Sequence, residues 1–182
     1  YEVELKFPLT GLDDVRSQLQ RIRATPDPVR QQRDLYFSHP AKEFVETDEA
    51  LRIRCVADWN CLTYKGPLVD ARTKTRREIE IPFQAGKVAA GQMADLLRRL
   101  GFQTVREVVK VRIPFQLVWE LRNVELALDE VEGLGSFLEI ETLAAASARE
   151  QAQDSILRLA ERRRLQQAEH RSYLCLLLQQ NE

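Results

Sequence analysis

Short segments in which charged and apolar residues alternate recur along almost the whole chain. The first is YEVELKF at residues 1–7, where Glu2, Glu4 and Lys6 occupy every second position and apolar residues lie between them. Alternation with a period of two is typical of a β-strand that has one apolar face and one polar face. The chain is therefore predicted to fold around a sheet whose strands present full charges on one side.

The order of the predicted elements favours an antiparallel sheet. Candidate strands cover residues 1–8, 33–37, 50–56, 61–66, 75–83, 105–115, 117–121, 124–132 and 136–142. Helices are predicted over 10–24 and 87–100, and two more are predicted to begin at residues 147 and 172. The first and third helices begin with the capping boxes Thr10/Asp13 and Ser147/Glu150. The segment ADWN at 57–60 predicts a hairpin turn. Most connections are too short for a crossover helix, and about eight strands can close a barrel. The fold class is therefore α+β, and the length suits one domain over 1–182, with the C-terminal helices from about 147 to 182 packed on the barrel.

The charges on the polar strand faces are sorted by sign. Acidic doublets occur at Glu2/Glu4, Glu78/Glu80 and Glu139/Glu141, and basic doublets at Arg52/Arg54 and Lys110/Arg112, with Arg76, Lys65 and Asp129 on the same kind of face. One interpretation is a solvated face of an antiparallel sheet. The other is a site, because like charges at positions i and i+2 repel unless a group of opposite charge joins them. Glutamate pairs suit Mg²⁺ or Mn²⁺ and Arg/Lys pairs suit a polyanion, so a barrel lined by both would hold a metal–polyphosphate complex.

Composition narrows the classes of partner. The formal net charge is −1, so the field of the whole molecule favours neither nucleic acid nor a membrane surface. No apolar segment has the length of a transmembrane helix. The three cysteines show no CxxC spacing, which argues against a disulfide framework or zinc site and favours a reducing, cytoplasmic location. His39 and His170 lie far apart in the sequence, and we expect neither to be catalytic.

Taken in order, these segments resemble the CYTH superfamily, the triphosphate tunnel metalloenzymes. The resemblance is carried by E-x-E-x-K at 2–6, D-x-Y-F at 34–37, ALRIR at 50–54, LTYKGP at 62–67, R-x-E-x-E at 76–80, K-x-R at 110–112, LDEVEGLGSFLEIE at 128–141 and SYL at 172–174. The LTYKGP and LDEVEGLGSFLEIE segments are most similar to the branch that includes the class IV adenylate cyclases. The resemblance implies an eight-stranded antiparallel closed β-barrel, or tunnel, with a charged interior and α-helices outside.

The resemblance also implies a role for each charged position. The group expected to bind Mg²⁺ or Mn²⁺ is Glu2, Glu4, Asp129, Glu139 and Glu141. The group expected to bind the triphosphate is Lys6, Arg52, Arg54, Lys65, Lys110 and Arg112, with Arg76 facing either a phosphate or a glutamate. Glu78 and Glu80 are expected to line the tunnel, as outer metal ligands or as contacts to the nucleoside end. Catalysis is expected to depend on Glu2, Glu4, Lys6, Glu139 and Glu141.

Three functions are compatible with such a site. In an adenylate cyclase, the ribose 3′-hydroxyl of ATP attacks the α-phosphorus in line, and cyclic AMP and pyrophosphate form. In a triphosphatase, water attacks the terminal phosphorus of inorganic triphosphate, thiamine triphosphate or a nucleoside triphosphate. A binding module would hold nucleotides or polyphosphate without turnover. The first is predicted, with ATP as partner, no nucleic acid or membrane partner, and a homodimer suggested by the resemblance.

Overall fold

A computed structural model describes residues 1–57, 59–70 and 72–180, apart from the side chains of Asp13 and Asp14. Within these residues the strands are β1 Glu2–Leu9, β2 Thr25–Pro26, β3 Arg30–Ser38, β4 Ala50–Val56, β5 Trp59–Lys65, β6 Lys74–Arg76, β7 Glu78–Phe83, β8 Gln103–Trp119, β9 Arg122–Val131 and β10 Gly135–Leu143. The helices are α1 Asp13–Arg21, α2 Phe44–Thr47, α3 Lys87–Arg99, α4 Arg149–Arg162 and α5 Tyr173–Gln179, with a 3₁₀ turn at Ala146–Ala148 before α4.

The strands form one antiparallel sheet that curls into a nearly closed barrel. Their order is β6–β1–β10–β9–β8–β3–β4–β5–β7, and β2 pairs with β8. Only Arg77 separates β6 from β7, so one stretch of chain pairs with β1 through Arg76 and Glu2, and with β5 through Glu78 and Lys65. If β6 and β7 are counted as one interrupted strand and β2 as an accessory, eight strands form the wall. The predicted antiparallel barrel of an α+β protein is confirmed.

The apolar faces of the strands point outward, and helices cover part of them, although Ile79 and Ile81 of β7 remain exposed. Val3, Leu5 and Phe7 of β1 are at most 4% exposed and belong to the same apolar cluster as Ile156 and Leu159 of α4. Complete burial of a side chain of this size contributes about 1.5–3 kcal/mol. Because the apolar residues of each strand occupy the outside, the alternating charged residues face the interior of the barrel.

Two helix starts differ from their predictions. The first backbone hydrogen bond of α1 runs from the N–H of Arg16 to the carbonyl oxygen of Leu12, at 2.9 Å. Leu12 is therefore the N-cap residue, and Thr10 lies two residues too early to cap the helix. The side chain of Asp13, the other member of the predicted capping box, is outside the described part of the structure. Ser147 lies in the 3₁₀ turn before α4 and accepts no cap hydrogen bond. By contrast, Ser172 caps α5, because its Oγ accepts from the backbone N–H of Cys175 at 3.1 Å.

The connection between β4 and β5 agrees with the predicted hairpin. Val56 pairs with Trp59, and Asp58 between them lies outside the described residues. Among the helices of the described residues, we find none that combines the length and the apolar character needed to cross a membrane.

Candidate functional site

A cavity of about 420 Å³ opens inside the barrel, and the charged strand faces line it. Its charged lining includes Glu2, Glu4, Lys6, Arg52, Arg54, Lys65, Lys74, Arg76, Lys110, Arg112, Glu139 and Glu141. The cavity therefore brings together most of the side chains that the sequence predicts for a site. The exceptions are Glu78, Glu80 and Asp129, which do not line it.

Strands β1 and β10 supply the carboxylates of the cavity. Their register places Glu4 opposite Glu141 and Lys6 opposite Glu139, and Glu2 follows on the same face of β1. Burial and the like charges of Glu2 and Glu4 raise the pKa of Glu141 well above its ordinary value. The carboxylates of Glu2, Glu4 and Glu141 thus repel one another, and a cation placed among them would relieve that repulsion.

The carboxylates of Glu2, Glu4 and Glu141, here called the acidic wall, fit a divalent metal ion once Lys65 is released from Glu2. Carboxylate oxygens are the ligands that Mg²⁺ and Mn²⁺ prefer. Within the described residues, no three acidic, histidine or cysteine side chains already converge as a metal cage. In the structure both oxygens of Glu2 accept from Lys65 Nζ, Oε1 at 2.7 Å and Oε2 at 2.5 Å. Binding a metal at Glu2, Glu4 and Glu141 would release Lys65 from Glu2 and leave its ammonium for an anion.

The same cavity also carries a dense group of buried cations. Lys6, Arg52, Arg54, Lys74, Arg76, Lys110 and Arg112 are each at most 9% exposed. Burying a cation costs free energy unless anions or acceptors compensate it. Within the described residues, the Nε–H groups of Arg52 and Arg76 are buried without a hydrogen-bond partner. Unpartnered donors in a cavity wall are suited to the oxygens of an anionic ligand.

A buried aspartate on β3, Asp34, holds two of these cations in place. Its two carboxylate oxygens accept from Nε and Nη2 of Arg54, each at 2.7 Å, and Arg52 Nη1 lies 3.3 Å from Oδ2. Burial alone would raise the pKa of Asp34, but the charges of Arg52 and Arg54 hold that pKa well below its usual range. Asp34 is therefore a fixed anion that positions the two guanidinium groups.

Asp129 also positions cations, which differs from the metal role predicted for it. Its carboxylate accepts from Lys110 Nζ at 2.7 Å, from Arg112 Nε at 2.7 Å and Nη2 at 2.6 Å, and from Tyr173 Oη at 3.0 Å. The residue is fully buried, and both oxygens are occupied by donors. A metal ion could reach Asp129 only by breaking these bonds, so the geometry does not fit the expected ligand role.

Glu78 and Glu80 lie beside the cavity instead of lining it, which also differs from the prediction. Glu78 lies opposite Lys65 in the β5–β7 register, and its Oε1 is 3.6 Å from Lys65 Nζ and 3.8 Å from Arg52 Nη2, so it faces two of the cations that line the cavity. Glu80 is exposed and accepts from Thr63 Oγ1 at 3.3 Å. The physical reason is the interruption at Arg77, after which β7 leaves β1 and follows β5 towards the β4–β5 connection.

The sequence-based prediction missed Lys74. It lies on β6, opposite Glu4 in the register, and its Nζ is 3.2 Å from Oδ2 of Asp48. Burial and the neighbouring charge of Arg76 lower the pKa of Lys74. Lys74 lies two residues before Arg76, so the alternating pattern places it on the same strand face and could have predicted it.

The SYL motif contributes Tyr173, whose ring forms part of the cavity wall. Lys6 Nζ lies 4.4 Å and Lys110 Nζ 4.8 Å from the centre of this ring, close enough for cation–π attraction. Lys6 Nζ also donates to the backbone carbonyl of Arg171. The guanidinium of Arg171 itself points to Glu169 and Gln179 at the surface. The start of α5 is thus tied to the charged cavity.

The family model for the CYTH domain matches residues 1–173. The chain belongs to the CYTH family. A protein of Methanocaldococcus jannaschii named "Putative adenylate cyclase" is 36% identical over 140 residues, which cover 77% of this chain and 75% of that protein. A solved structure from Pyrococcus horikoshii superposes with a TM-score of 0.85 at 38% identity and covers 99% of both chains. A protein from Hippeastrum, described as a putative adenylyl cyclase with a dominant triphosphatase activity, superposes with a TM-score of 0.64 at 20% identity, over 94% of this chain and 90% of that one.

The ion pairs of Asp129 lead to a prediction about the stability of this CYTH protein. Asp129→Asn removes the carboxylate that lies nearest to Lys110 and leaves Glu139 as the remaining buried counter-charge of Lys110 and Arg112. Removing one partner of a buried ion pair typically costs about 3–5 kcal/mol. We expect a lower free energy of unfolding in urea, and we expect added inorganic triphosphate to stabilise the variant more than the wild type, because phosphate oxygens replace the lost anion.

The neighbouring residue provides the matched control for this variant. Glu130 follows Asp129 on β9 but is exposed on the outer face, so Glu130→Gln should leave the urea midpoint unchanged. If Asp129→Asn unfolds at the same urea concentration as the wild type, the proposed anchoring role is wrong.

Glu49, which follows α2, gives a prediction about acid stability. Its side chain is 1% exposed and accepts from Lys42 Nζ at 2.8 Å, from Thr47 Oγ1 at 2.6 Å and from Tyr64 Oη. Burial opposes ionisation, but these hydrogen bonds lower the pKa of Glu49 from 4.5 to about 2. A lowered acid pKa contributes stability that is complete above the unfolded-state value and is lost as pH falls through the folded-state value.

Glu49→Gln should therefore be less stable than the wild type at neutral pH. The difference should shrink as pH falls from about 4.5 towards about 2, where the wild-type carboxylate is protonated. Urea unfolding across this pH range measures the difference, and a constant difference down to pH 2 would count against the anchoring of α2 by an ionised Glu49.

Proposed function

We propose that this CYTH protein is a divalent-metal-dependent enzyme that acts on a triphosphate, and that it converts ATP into cyclic AMP and pyrophosphate. The observation that carries the proposal is the composition of the cavity lining. Buried cations, two with unpartnered donors, share the cavity with the mutually repelling carboxylates of Glu2, Glu4 and Glu141. A metal–triphosphate complex would supply phosphate oxygens for the unpartnered donors and a cation for the carboxylates. The similarity to the Methanocaldococcus protein supports cyclisation as the reaction.

Mg²⁺ or Mn²⁺ would be held by Glu2, Glu4 and Glu141, and when bound it would supply the positive charge that activates the attacking hydroxyl and neutralises the leaving group. Glu139, also expected to be a metal ligand, accepts from Arg112 Nη2 and lies 3.9 Å from Lys110 Nζ, so it is left out of this set. The other contributions come from the protein itself. Arg52 and Arg76 direct Nε–H groups at the phosphate oxygens, and Lys65 changes its partner from Glu2 to a phosphate. Because Asp34 and Asp129 fix the basic side chains before the substrate arrives, little reorganisation is needed during the reaction.

In the proposed reaction, a bond forms between the ribose 3′-oxygen and the α-phosphorus. The bond from the α-phosphorus to the oxygen that bridges it to the β-phosphorus breaks, and the 3′-hydroxyl proton is released. Negative charge accumulates on the departing pyrophosphate, and the buried lysines and arginines of the cavity stabilise that charge.

Hydrolysis of the terminal phosphate is the second candidate. The Hippeastrum neighbour shares the fold and is described as having a dominant triphosphatase activity, so this fold hosts hydrolysis in that protein. The two reactions differ in which phosphorus atom faces the nucleophile. Moving the triphosphate by one phosphate position along the cavity would change one arrangement into the other.

Product identification tests the proposal. The protein is incubated with ATP, inorganic triphosphate or thiamine triphosphate, with Mg²⁺, with Mn²⁺ or with a chelator, and phosphorus NMR identifies the products. Cyclic AMP and pyrophosphate formed only with metal are the expected result. Orthophosphate would identify a triphosphatase instead, and binding of ATP without turnover would identify a binding module.

A further inference from the structure

The residue that ends α2 places a carboxylate on two cations of the cavity. Asp48 lines the cavity, and its Oδ2 lies 3.2 Å from Lys74 Nζ and 3.2 Å from Arg76 Nη2. Its backbone carbonyl oxygen also accepts from Arg76 Nη1 at 2.6 Å. Lys74 and Arg76 belong to β6 and are at most 5% exposed. Asp48 therefore supplies negative charge to two basic side chains that also line the cavity.

Asp48 differs from the two aspartates that hold the other cations of the cavity. Asp34 and Asp129 are at most 2% exposed, and their oxygens accept from buried basic side chains at 2.6–2.7 Å. The Asp48 side chain is 40% exposed, and its contacts are longer. Separating a buried ion pair leaves uncompensated charges, whereas a half-exposed carboxylate that leaves its partners is solvated by water. Of these three aspartates, Asp48 is the one that can be exchanged at low cost.

The backbone around Asp48 can stay in place when its side chain moves. Asp48 has a left-handed conformation, with φ 54° and ψ 29°, and ends α2. The next residue, Glu49, donates its backbone N–H to the carbonyl of Phe44 at 3.0 Å, and its buried side chain is anchored by hydrogen bonds. An exchange therefore requires only that the Asp48 carboxylate rotates towards water, while its backbone carbonyl still holds Arg76.

A phosphate that enters the cavity competes with Asp48 for the same cations. Within the described residues, the buried Nε–H of Arg76 has no hydrogen-bond partner, although Nη2 of the same guanidinium faces Asp48. A phosphate oxygen bound at this Nε–H would therefore lie close to the Asp48 carboxylate, and the two anions would repel each other. Phosphate oxygens can grip the guanidinium in the same forked geometry as a carboxylate, so the phosphate can replace Asp48.

We propose that Asp48 is an exchangeable counter-ion that lowers the affinity of the cavity for phosphates. It neutralises Lys74 and Arg76 before the substrate arrives, and a phosphate of the substrate displaces it. When the phosphate product leaves, Asp48 returns to the two cations, which favours release. The inference rests on the proposed function, because that function places phosphate oxygens at Arg76.

The test measures how tightly a triphosphate binds when Asp48 carries no charge. The ligand is an inorganic triphosphate analogue in which methylene groups replace both bridging oxygens, and calorimetry with Mg²⁺ gives its affinity. Asp48→Asn removes the charge and Asp48→Gly removes the side chain, and both new residues tolerate a left-handed backbone. The glycine variant cannot form a new side-chain hydrogen bond to the ligand. Glu46→Gln is the matched control, because Glu46 lies on α2, is exposed and does not line the cavity.

Both Asp48 variants should bind the analogue at least about threefold more tightly than the wild type, because they lack the competing anion. Glu46→Gln should bind it as the wild type does. Weaker binding by the Asp48 variants would show that Asp48 positions the cations as Asp34 does, and would overturn the inference. Unchanged binding by either Asp48 variant, or an equal gain in Glu46→Gln, would also overturn it. In these cases the analogue still binds and the proposed function stands, whereas no binding to any of these proteins would contradict both.

Discussion

Glu141→Gln is expected to lower metal-dependent turnover by at least about 100-fold while leaving the protein folded, because it removes one carboxylate from the acidic wall. Glu141 lies opposite Glu4 in the β1–β10 register, and burial together with the charges of Glu2 and Glu4 raises its pKa. The neutral amide relieves that repulsion, so the variant should be as stable as the wild type without metal, or more stable. Steady-state kinetics with Mg²⁺ and urea unfolding without it measure the two effects.

The raised pKa of Glu141 also predicts how metal binding depends on pH. Below that pKa the carboxyl group carries a proton that the metal must displace, so the affinity for Mg²⁺ should rise as pH increases through it. Glu141→Gln should abolish this rise, while Glu130→Gln, on the outer face of the barrel, should retain it. Full activity of Glu141→Gln with Mg²⁺ would contradict the assignment of the acidic wall.

Arg76→Ala is expected to reduce kcat/KM for the triphosphate substrate by about 10²- to 10³-fold, the usual effect of removing one donor from a site that stabilises developing charge. The buried Nε–H of Arg76 has no hydrogen-bond partner in the described structure, and its Nη2 lies 3.2 Å from Asp48 Oδ2. Arg76 Nη1 also donates to the backbone carbonyl of Asp48 at 2.6 Å, so urea unfolding of Arg76→Ala is needed to separate a loss of stability from the loss of activity.

The neighbouring arginine offers a matched control. Arg77 is exposed between β6 and β7, and its backbone carbonyl, which accepts from Gly66 N–H at 2.8 Å, survives substitution. Arg77→Ala should therefore keep near-normal kinetics, and Arg76→Lys should recover part of the lost activity, because it restores the charge without the forked geometry. Similar losses in Arg76→Ala and Arg77→Ala would show that the position of Arg76 in the cavity is irrelevant.

The sequence was sufficient to predict the barrel and most of its charged interior, because a period of two specifies which side chains share a face. Glu2 and Glu4, Arg52 and Arg54, and Lys110 all line the cavity as the alternation requires. The pattern says nothing about how the inner groups pair with one another. The resemblance implied a metal role for Asp129, and only the structure shows that its carboxylate accepts from Lys110, Arg112 and Tyr173.

Other features were beyond the periodic signal. The break at Arg77 redirects β7 from β1 to β5. Glu80 therefore lies away from the cavity, although strict alternation from Arg76 would place it on the inner face. Helix α2 has four residues, too few for a helical pattern, so the position of Phe44 and Val45 in the cavity lining depends on tertiary contacts alone. Lys74 was accessible to the same reasoning that found Arg76, had the strand been extended by one residue.

A crystal structure of the protein with Mg²⁺ and an ATP analogue that has a methylene group between the α- and β-phosphorus atoms tests the central claim most directly. We predict phosphate oxygens within about 3.2 Å of Arg52 Nε and Arg76 Nε, and a metal ion bound by carboxylates of Glu2, Glu4 and Glu141. We also predict that Lys65 has left Glu2 for a phosphate. An analogue bound outside the barrel, or phosphates inside it with no metal contact to these three carboxylates, would contradict the account.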